Sequence, residues 1–361
     1  MLKLLFDRKL RKLPLRFKIF VLRYALSTHN SKVPDRLDGK KVLSIHLPPY
    51  PSEAFDTFLK AQLKASEGEP VPEIVNISLT TECKNDCWHC VTRNEEGVLE
   101  KEVLLSTIKR LKELGTFQFL FTGGNPLLRD DLEELVRAAS GSSISLISSP
   151  GFISDERAKS LKKAGCQGVF VGLEHHEKKK NDELMGFDGA YERSLKTIRN
   201  VKKAGMLTST WVVVTSDMIE ELDDYLKFVR SKGVTDVAIF EPIIGPRDEI
   251  LEPYEREYLM NVQKEKNPDY PRIISGPFMD SSRFMGCTAG YNRMHISAQG
   301  DVYPCDMLRE TWGNIYEQDI EKIWSEMNQE YSEPICGCLA LDNTEEKLPA
   351  YFNKLIKDPE K

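Results

Sequence analysis

Between residues 73 and 244, six apolar, β-rich runs alternate with Lys/Glu-rich amphipathic stretches, and this alternation limits the fold of the chain more than any other feature. The runs are IVNISLT, FQFLFTG, ISLISS, GVFVGLE, TSTWVVVT and DVAIFEPII. Between them lie stretches with helical periodicity, such as KEVLLSTIKRLKEL, RDDLEELVRAAS and YERSLKTIRNVKKAG. The endings KKAG and SKG predict helix C-caps, with glycine after a basic last turn. Six such units predict an α/β fold with a parallel barrel or open sheet. The working face of such a fold lies just beyond the strand C-termini. Ser148, Ser149, Glu174, His175, His176, Thr215, Ser216 and Glu241 fall there. Glu174 and Glu241, each following an apolar strand, are expected to face inward as catalytic groups. The loop EHHEKKKND, with His176, is expected to be solvated. Cys166 precedes its strand and is expected at the opposite end, as a small buried residue.

The chain holds eight cysteines, and seven of them form two groups. No run of eighteen apolar residues is present, and basic residues interrupt every apolar stretch of the N-terminus. A reducing cytoplasm is therefore expected, where cysteines argue for metal ligation rather than disulfides. Cys83, Cys87 and Cys90 follow the first strand directly. Cys287, Cys305, Cys336 and Cys338 form the second group. Thiolates suit zinc or iron–sulfur clusters. A structural zinc ion wants four ligands, and His89 and Glu82 are the local candidates to complete the first group. A four-iron cluster on three cysteines instead leaves one iron open to a non-protein ligand. At this point both alternatives stand.

TECKNDCWHC resembles the cluster loop of the radical S-adenosylmethionine (radical SAM) superfamily, with His89 where an aromatic residue usually precedes the last cysteine. The segment TGGNPLL, residues 122–128, resembles that family's Gly-Gly-Glu-Pro motif, with Asn125 in place of the glutamate. Glycines let backbone approach a ligand closely, proline stiffens the turn, and the Asn125 carbonyl accepts a hydrogen bond without bringing charge. The resemblance implies a partial (β/α)6 barrel. It implies a [4Fe-4S] cluster on Cys83, Cys87 and Cys90 whose open iron chelates S-adenosylmethionine. Gly123, Gly124, Asn125 and Pro126 would line the methionine end, with His89, Ser149 and Glu174 near the cofactor. The reduced cluster would cleave S-adenosylmethionine to a 5′-deoxyadenosyl radical that abstracts hydrogen from an unactivated carbon. A reducing partner such as flavodoxin or ferredoxin is implied as well.

Residues 287–338 contain two short strands, MHIS and DVYPC, around the turn AQGD, which predicts a hairpin. With Gly300, Gly313-Asn314, Trp324 and the four cysteines, the module is similar to the SPASM/twitch extensions of radical SAM enzymes. The shorter twitch form, with one auxiliary [4Fe-4S] cluster, is the expected match. Judged alone, four thiolates at these spacings suit zinc equally.

The expected organisation is a basic segment and Pro-rich connector (1–71), the barrel (72–245), a helical linker (246–286), the auxiliary module (287–345) and a tail (346–361). Net charge is −6, which excludes a general attraction to nucleic acid. Residues 1–27, however, hold eight Lys/Arg against one Asp on an amphipathic pattern interrupted by Pro14. That pattern suits an anionic membrane surface at its inner face, or docking on the barrel with the basic residues in water. A hydrophobic or lipid substrate is expected from it. The alternatives are a ribosomal-peptide maturase, which residues 1–71 oppose by lacking a clear recognition domain, and a zinc-stapled protein without enzymatic activity.

Overall fold

The computed structural model describes residues 35–243, 251–264, 269–281, 284–335 and 337–342. The basic stretch 1–27, Cys336 and the tail 346–361 lie outside the described residues. The strands are β1 (Asp35–Leu37), β2 (Lys40–Val42), β3 (Ile74–Ser78), β4 (Gln118–Thr122), β5 (Ile144–Ser149), β6 (Cys166–Gly172), β7 (Leu207–Val213), β8 (Asp236–Phe240), β9 (Arg272–Ser275), β10 (Arg293–Ile296), β11 (Asp301–Tyr303) and β12 (Gly313–Asn314).

All six predicted strands form, and they pair in parallel in sequence order from β3 to β8. Helices such as Lys101–Leu114, Asp155–Ala164 and Ala190–Lys203 connect them. The glycine caps read from KKAG and SKG are real. Gly165, Gly205 and Gly233 have φ of 109°, 78° and 84°, a region that side chains with a Cβ avoid.

Strand periodicity separates two faces. Val75, Ile77, Phe119, Phe121, Val169 and Val171 point outward and are buried against Leu104, Ile108 and Leu111 of helix Lys101–Leu114 and its neighbours. Ile74, Asn76 and Ser78, with Gln118, Leu120 and Thr122, point inward and line a cavity of about 1350 Å³.

Two features go beyond the expected units. The stretch expected as a helical linker also contributes β9, which pairs in parallel with β8. The C-terminal hairpin forms as predicted, with His295 opposite Tyr303. It also zips onto the barrel, because β10 pairs in parallel with β3, from Arg293↔Ile74 to Ile296↔Ile77. Among the described residues the result is an open ten-stranded sheet, β12-β11-β10-β3-β4-β5-β6-β7-β8-β9, and not a closed barrel. No helix among the described residues is long and apolar enough to cross a membrane.

Helix Glu53–Ser66 starts at Ser52, whose side chain accepts from the Phe55 N–H at 3.0 Å. It closes the N-terminal end of the sheet. The β1–β2 hairpin is tied to the same end by Arg272. That buried guanidinium donates from Nε to Asp236 at 3.1 Å, from Nη1 to the Leu43 carbonyl at 2.6 Å, and pairs with Asp35.

Candidate active site

The first cysteine loop runs from β3 across the C-terminal end of the sheet. The chain after β6 clamps it. The Trp88 N–H donates to the Leu184 carbonyl at 3.3 Å, and Arg193 donates to the Asn85 side chain at 2.6 Å. The Cys87 Sγ lies 3.6 Å from the Met185 carbonyl, in a small apolar cluster with Met185 and Ala190. A second clamp comes from the glycine motif. Asn125 donates its N–H to the Glu82 carbonyl, and Gly124 donates to that of Thr80, both at 2.7 Å. A Cβ on Gly123 or Gly124 would run into the carbonyls of Thr80, Thr81 or Glu82, so only glycine permits this approach.

Cys83, Cys87, Cys90, Gly123 and Gly124 all line the cavity. Cys287, Cys305 and Cys338 line it too, carried there by the pairing of β10 with β3. The antiparallel contact of Cys287 with Ile335 brings the chain back to the module just before Cys338. Cys336 lies outside the described residues.

Among the described residues, the thiols are free. Burial pushes Cys83 and Cys87 up from the ordinary thiol range; Cys90 adds to the shift of Cys83, and Glu174, Cys90 and Cys83 to that of Cys87. Cys305 is pushed up to about 12, and Cys338 is raised as well, each by burial first and then by neighbouring thiols and Asp306 or Asp280. Two pockets of buried thiols therefore call for positive charge. Neither described set closes to within 4.8 Å of itself. Two zinc–sulfur bonds of ~2.3 Å reach no further than about 4.6 Å. His89, a candidate fourth zinc ligand, points to Glu174 instead, and Glu82 is exposed. The donor sets thus fit a larger body bound through several metal atoms, as an iron–sulfur cluster is. Cys166 opens β6 at the far end, buried and pushed up to about 12, and takes no part. That leaves four cysteines of the eight for a single auxiliary cluster.

The expectation for Glu174 needs correction. Its side chain is fully buried and does not line the cavity. Oε1 accepts from His89 Nε2 and Oε2 from the Val213 N–H, each at 3.0 Å. With Glu174 as a carboxylate, which only accepts, the His89 Nε2–H is the donor of this bond. Glu174 is a positioning residue that fixes His89, whose ring stands edge-on to Trp211 at 5.1 Å. Glutamine at 174 reverses one of these bonds. Glu174→Gln is expected to keep the iron content while slowing 5′-deoxyadenosine formation about tenfold, as changes behind a metal site do. Iron assay and product chromatography check this, and an unchanged rate refutes it.

Glu241 does face the cavity, and its carboxylate accepts from Arg256 Nε at 2.6 Å. Asn125 and Pro126 stand behind the cavity wall. The Asn125 carbonyl caps the Leu127 N–H at 3.2 Å, which opens the short helix Pro126–Leu128. Ser148 lines the cavity, whereas for Ser149 the backbone alone is described, as the last residue of β5. His176 is half-buried, beside the exposed Glu177, Lys178 and Lys179 of the same loop. It stacks on His175 at 4.5 Å and lies 3.9 Å from Glu221.

Sequence inspection missed a buried polar array on the cavity wall. His295 contacts Asp306 through Nδ1 and Ser78 through Nε2 at 3.2 Å, and Asn76 donates to Asp306 at 2.6 Å. The signal was present for Asn76 and Ser78, whose even spacing in β3 places them inward. For His295 and Asp306 it was not, because their neighbour β3 lies more than two hundred residues away in sequence.

Comparison with known proteins agrees with this geometry. Residues 77–229 match the model of the radical SAM superfamily, and residues 287–347 match the SPASM iron–sulfur cluster-binding domain, as the SPASM/twitch resemblance implied. The chain is similar to the AdoMet-dependent heme synthase of Oleidesulfovibrio alaskensis, with 26% identity over 72% of this chain and 76% of that protein. It is similar to the GTP 3′,8-cyclase of Aquifex aeolicus, with 27% identity over 72% of this chain and 91% of that one. In fold it resembles Streptococcus suis SuiB bound to S-adenosylmethionine, with a TM-score of 0.59 and 18% identity over 73% of this chain and 68% of SuiB. Two cysteine sets at one cavity, on an open parallel sheet that matches these models, make the chain a member of the radical SAM superfamily: a radical SAM enzyme with a C-terminal SPASM domain.

Proposed function

We propose that this enzyme abstracts a hydrogen atom from an unactivated carbon of a largely apolar small molecule held in the cavity. The observation that carries this is a single chamber of about 1350 Å³ into which both cysteine sets and the glycine motif open. Phe170, Trp211, Val213 and Phe240 wall it. Cys83, Cys87 and Cys90 would hold the [4Fe-4S] cluster, which would supply the electron, drawn from a low-potential donor such as flavodoxin or ferredoxin, for reductive cleavage of S-adenosylmethionine.

The chain's own residues do the rest. Gly123 and Gly124 line the cavity beside the cysteine loop, where the methionine end of the cofactor would lie. His89, held by Glu174, and the face of Trp211 keep water from the adjoining wall. Such exclusion matters because a carbon radical must meet its substrate before anything else. Glu241, paired with Arg256, places a carboxylate at the wall for the substrate's polar groups.

The test is anaerobic incubation of reconstituted enzyme with S-adenosylmethionine, dithionite and deuterated candidates, both apolar small molecules and ribosomal peptides. Deuterium in 5′-deoxyadenosine from an apolar candidate is the expected result. Deuterium from peptides alone would give the maturase alternative instead, and no 5′-deoxyadenosine would remove both.

A further inference from the structure

The floor of the cavity, at the N-terminal end of the strands, carries groups that the cysteine chemistry leaves unused. Phe55, Phe58, Leu59 and Gln62 line it from one face of helix Glu53–Ser66, the stripe that spacings of three, four and seven residues produce. Phe58 meets Phe55 and Phe117 edge-on at 5.7 and 5.0 Å, so the walls here are aromatic. Glu73, immediately before β3, enters this apolar chamber with only 2% of its surface exposed.

Its carboxyl is half satisfied. Oε2 accepts from Gln62 Nε2 at 2.5 Å, and Oε1 has no partner. Burial pushes the group up to about 8, and among the described residues the Gln62 amide opposes that shift. Asn76 Oδ1, on the adjoining β3 wall, is likewise buried without a partner. Asn76 Oδ1 is an acceptor, and so is Glu73 Oε1 once its carboxyl is ionised. Leaving buried acceptors unsatisfied is costly, so an occupant that donates hydrogen bonds is favoured over one that accepts them.

We propose that this floor is a ligand subsite for an apolar stem ending in a primary ammonium group, which Glu73 receives. The subsite rests on the reading that the cavity holds the substrate, and it names the chemistry of the substrate's far end. Glu73 stands roughly 17 Å below Ser78 at about 3.3 Å per strand residue, so the stem reaches from the floor towards the cysteine loop. The ammonium gives a carboxylate its charge-assisted partner, and the stem covers the phenylalanine faces.

Calorimetric titration of the full, cluster-reconstituted protein with n-decylamine, decan-1-ol and decanoate tests this. The wild type is expected to bind the amine at least about tenfold more tightly than the alcohol or the acid. Glu73→Gln is expected to lower the amine to the affinity of the alcohol without changing the alcohol. Leu59→Trp, which fills the floor, is expected to weaken both. Equal affinity for the three probes, no binding of any, or an amine preference that survives Glu73→Gln overturns the subsite. Release of 5′-deoxyadenosine by the same samples is read separately: its absence from the wild type overturns hydrogen abstraction and leaves the calorimetric result standing.

Discussion

Replacing Cys83, Cys87 and Cys90 together by alanine is expected to lower iron and acid-labile sulfide from about eight of each per chain to about four, and to abolish 5′-deoxyadenosine formation. The expectation follows from the two separate thiol sets on one cavity wall. The first set is clamped by Arg193, by Met185 and by the Gly124–Thr80 hydrogen bond, none of which depends on the second. The second is held by β10, β11 and the Cys287–Ile335 contact. Losing one set therefore spares the other. Two results would count against this arrangement. Loss of all iron in the triple variant would mean that the auxiliary site is not filled independently. Zinc without sulfide in the wild type, after anaerobic reconstitution, would contradict the spread of the thiols.

The second large effect concerns stability at the opposite end of the sheet. Arg272 is 4% exposed and bridges Asp236, which is fully buried, to Asp35 and the Leu43 carbonyl. Arg272→Met keeps much of the side-chain volume and strands these carboxylates. Removing one partner of a buried ion pair costs about 3–5 kcal/mol, because the remaining charge has lost both water and counter-charge. Urea unfolding followed by circular dichroism should show that loss. Asp236→Asn in the Arg272→Met background should recover part of it, since a neutral amide is cheaper to bury than a carboxylate. A loss below about 1 kcal/mol would show that the hairpin β1–β2 and the sheet hold together by apolar packing alone. Val42 and Ile45, both fully buried against Phe170 and Leu146, are the residues that would do so.

The sequence by itself determined the strands, the helix caps and the chemistry of the cysteines, because these depend on neighbours within a few residues. Alternation sets which side chains leave a strand on each face, and glycine at positive φ marks a helix end wherever the rest of the chain runs. Three thiols in a short loop after β3 carry their ligand chemistry locally as well. Only the tertiary structure decided what the sites share. The pairing of β10 with β3 joins residues more than two hundred positions apart, and it brings Cys287 and Cys305 to the cavity of Cys83. Glu174 shows the same division. Its place after an apolar strand suggested an inward, reacting carboxylate. The Val213 N–H and the His89 ring, which draw it into the wall, come from other segments of the chain. Burial and hydrogen-bond partners are properties of elements meeting in space, and a run of residues states its own periodicity but not the surface against which it will close.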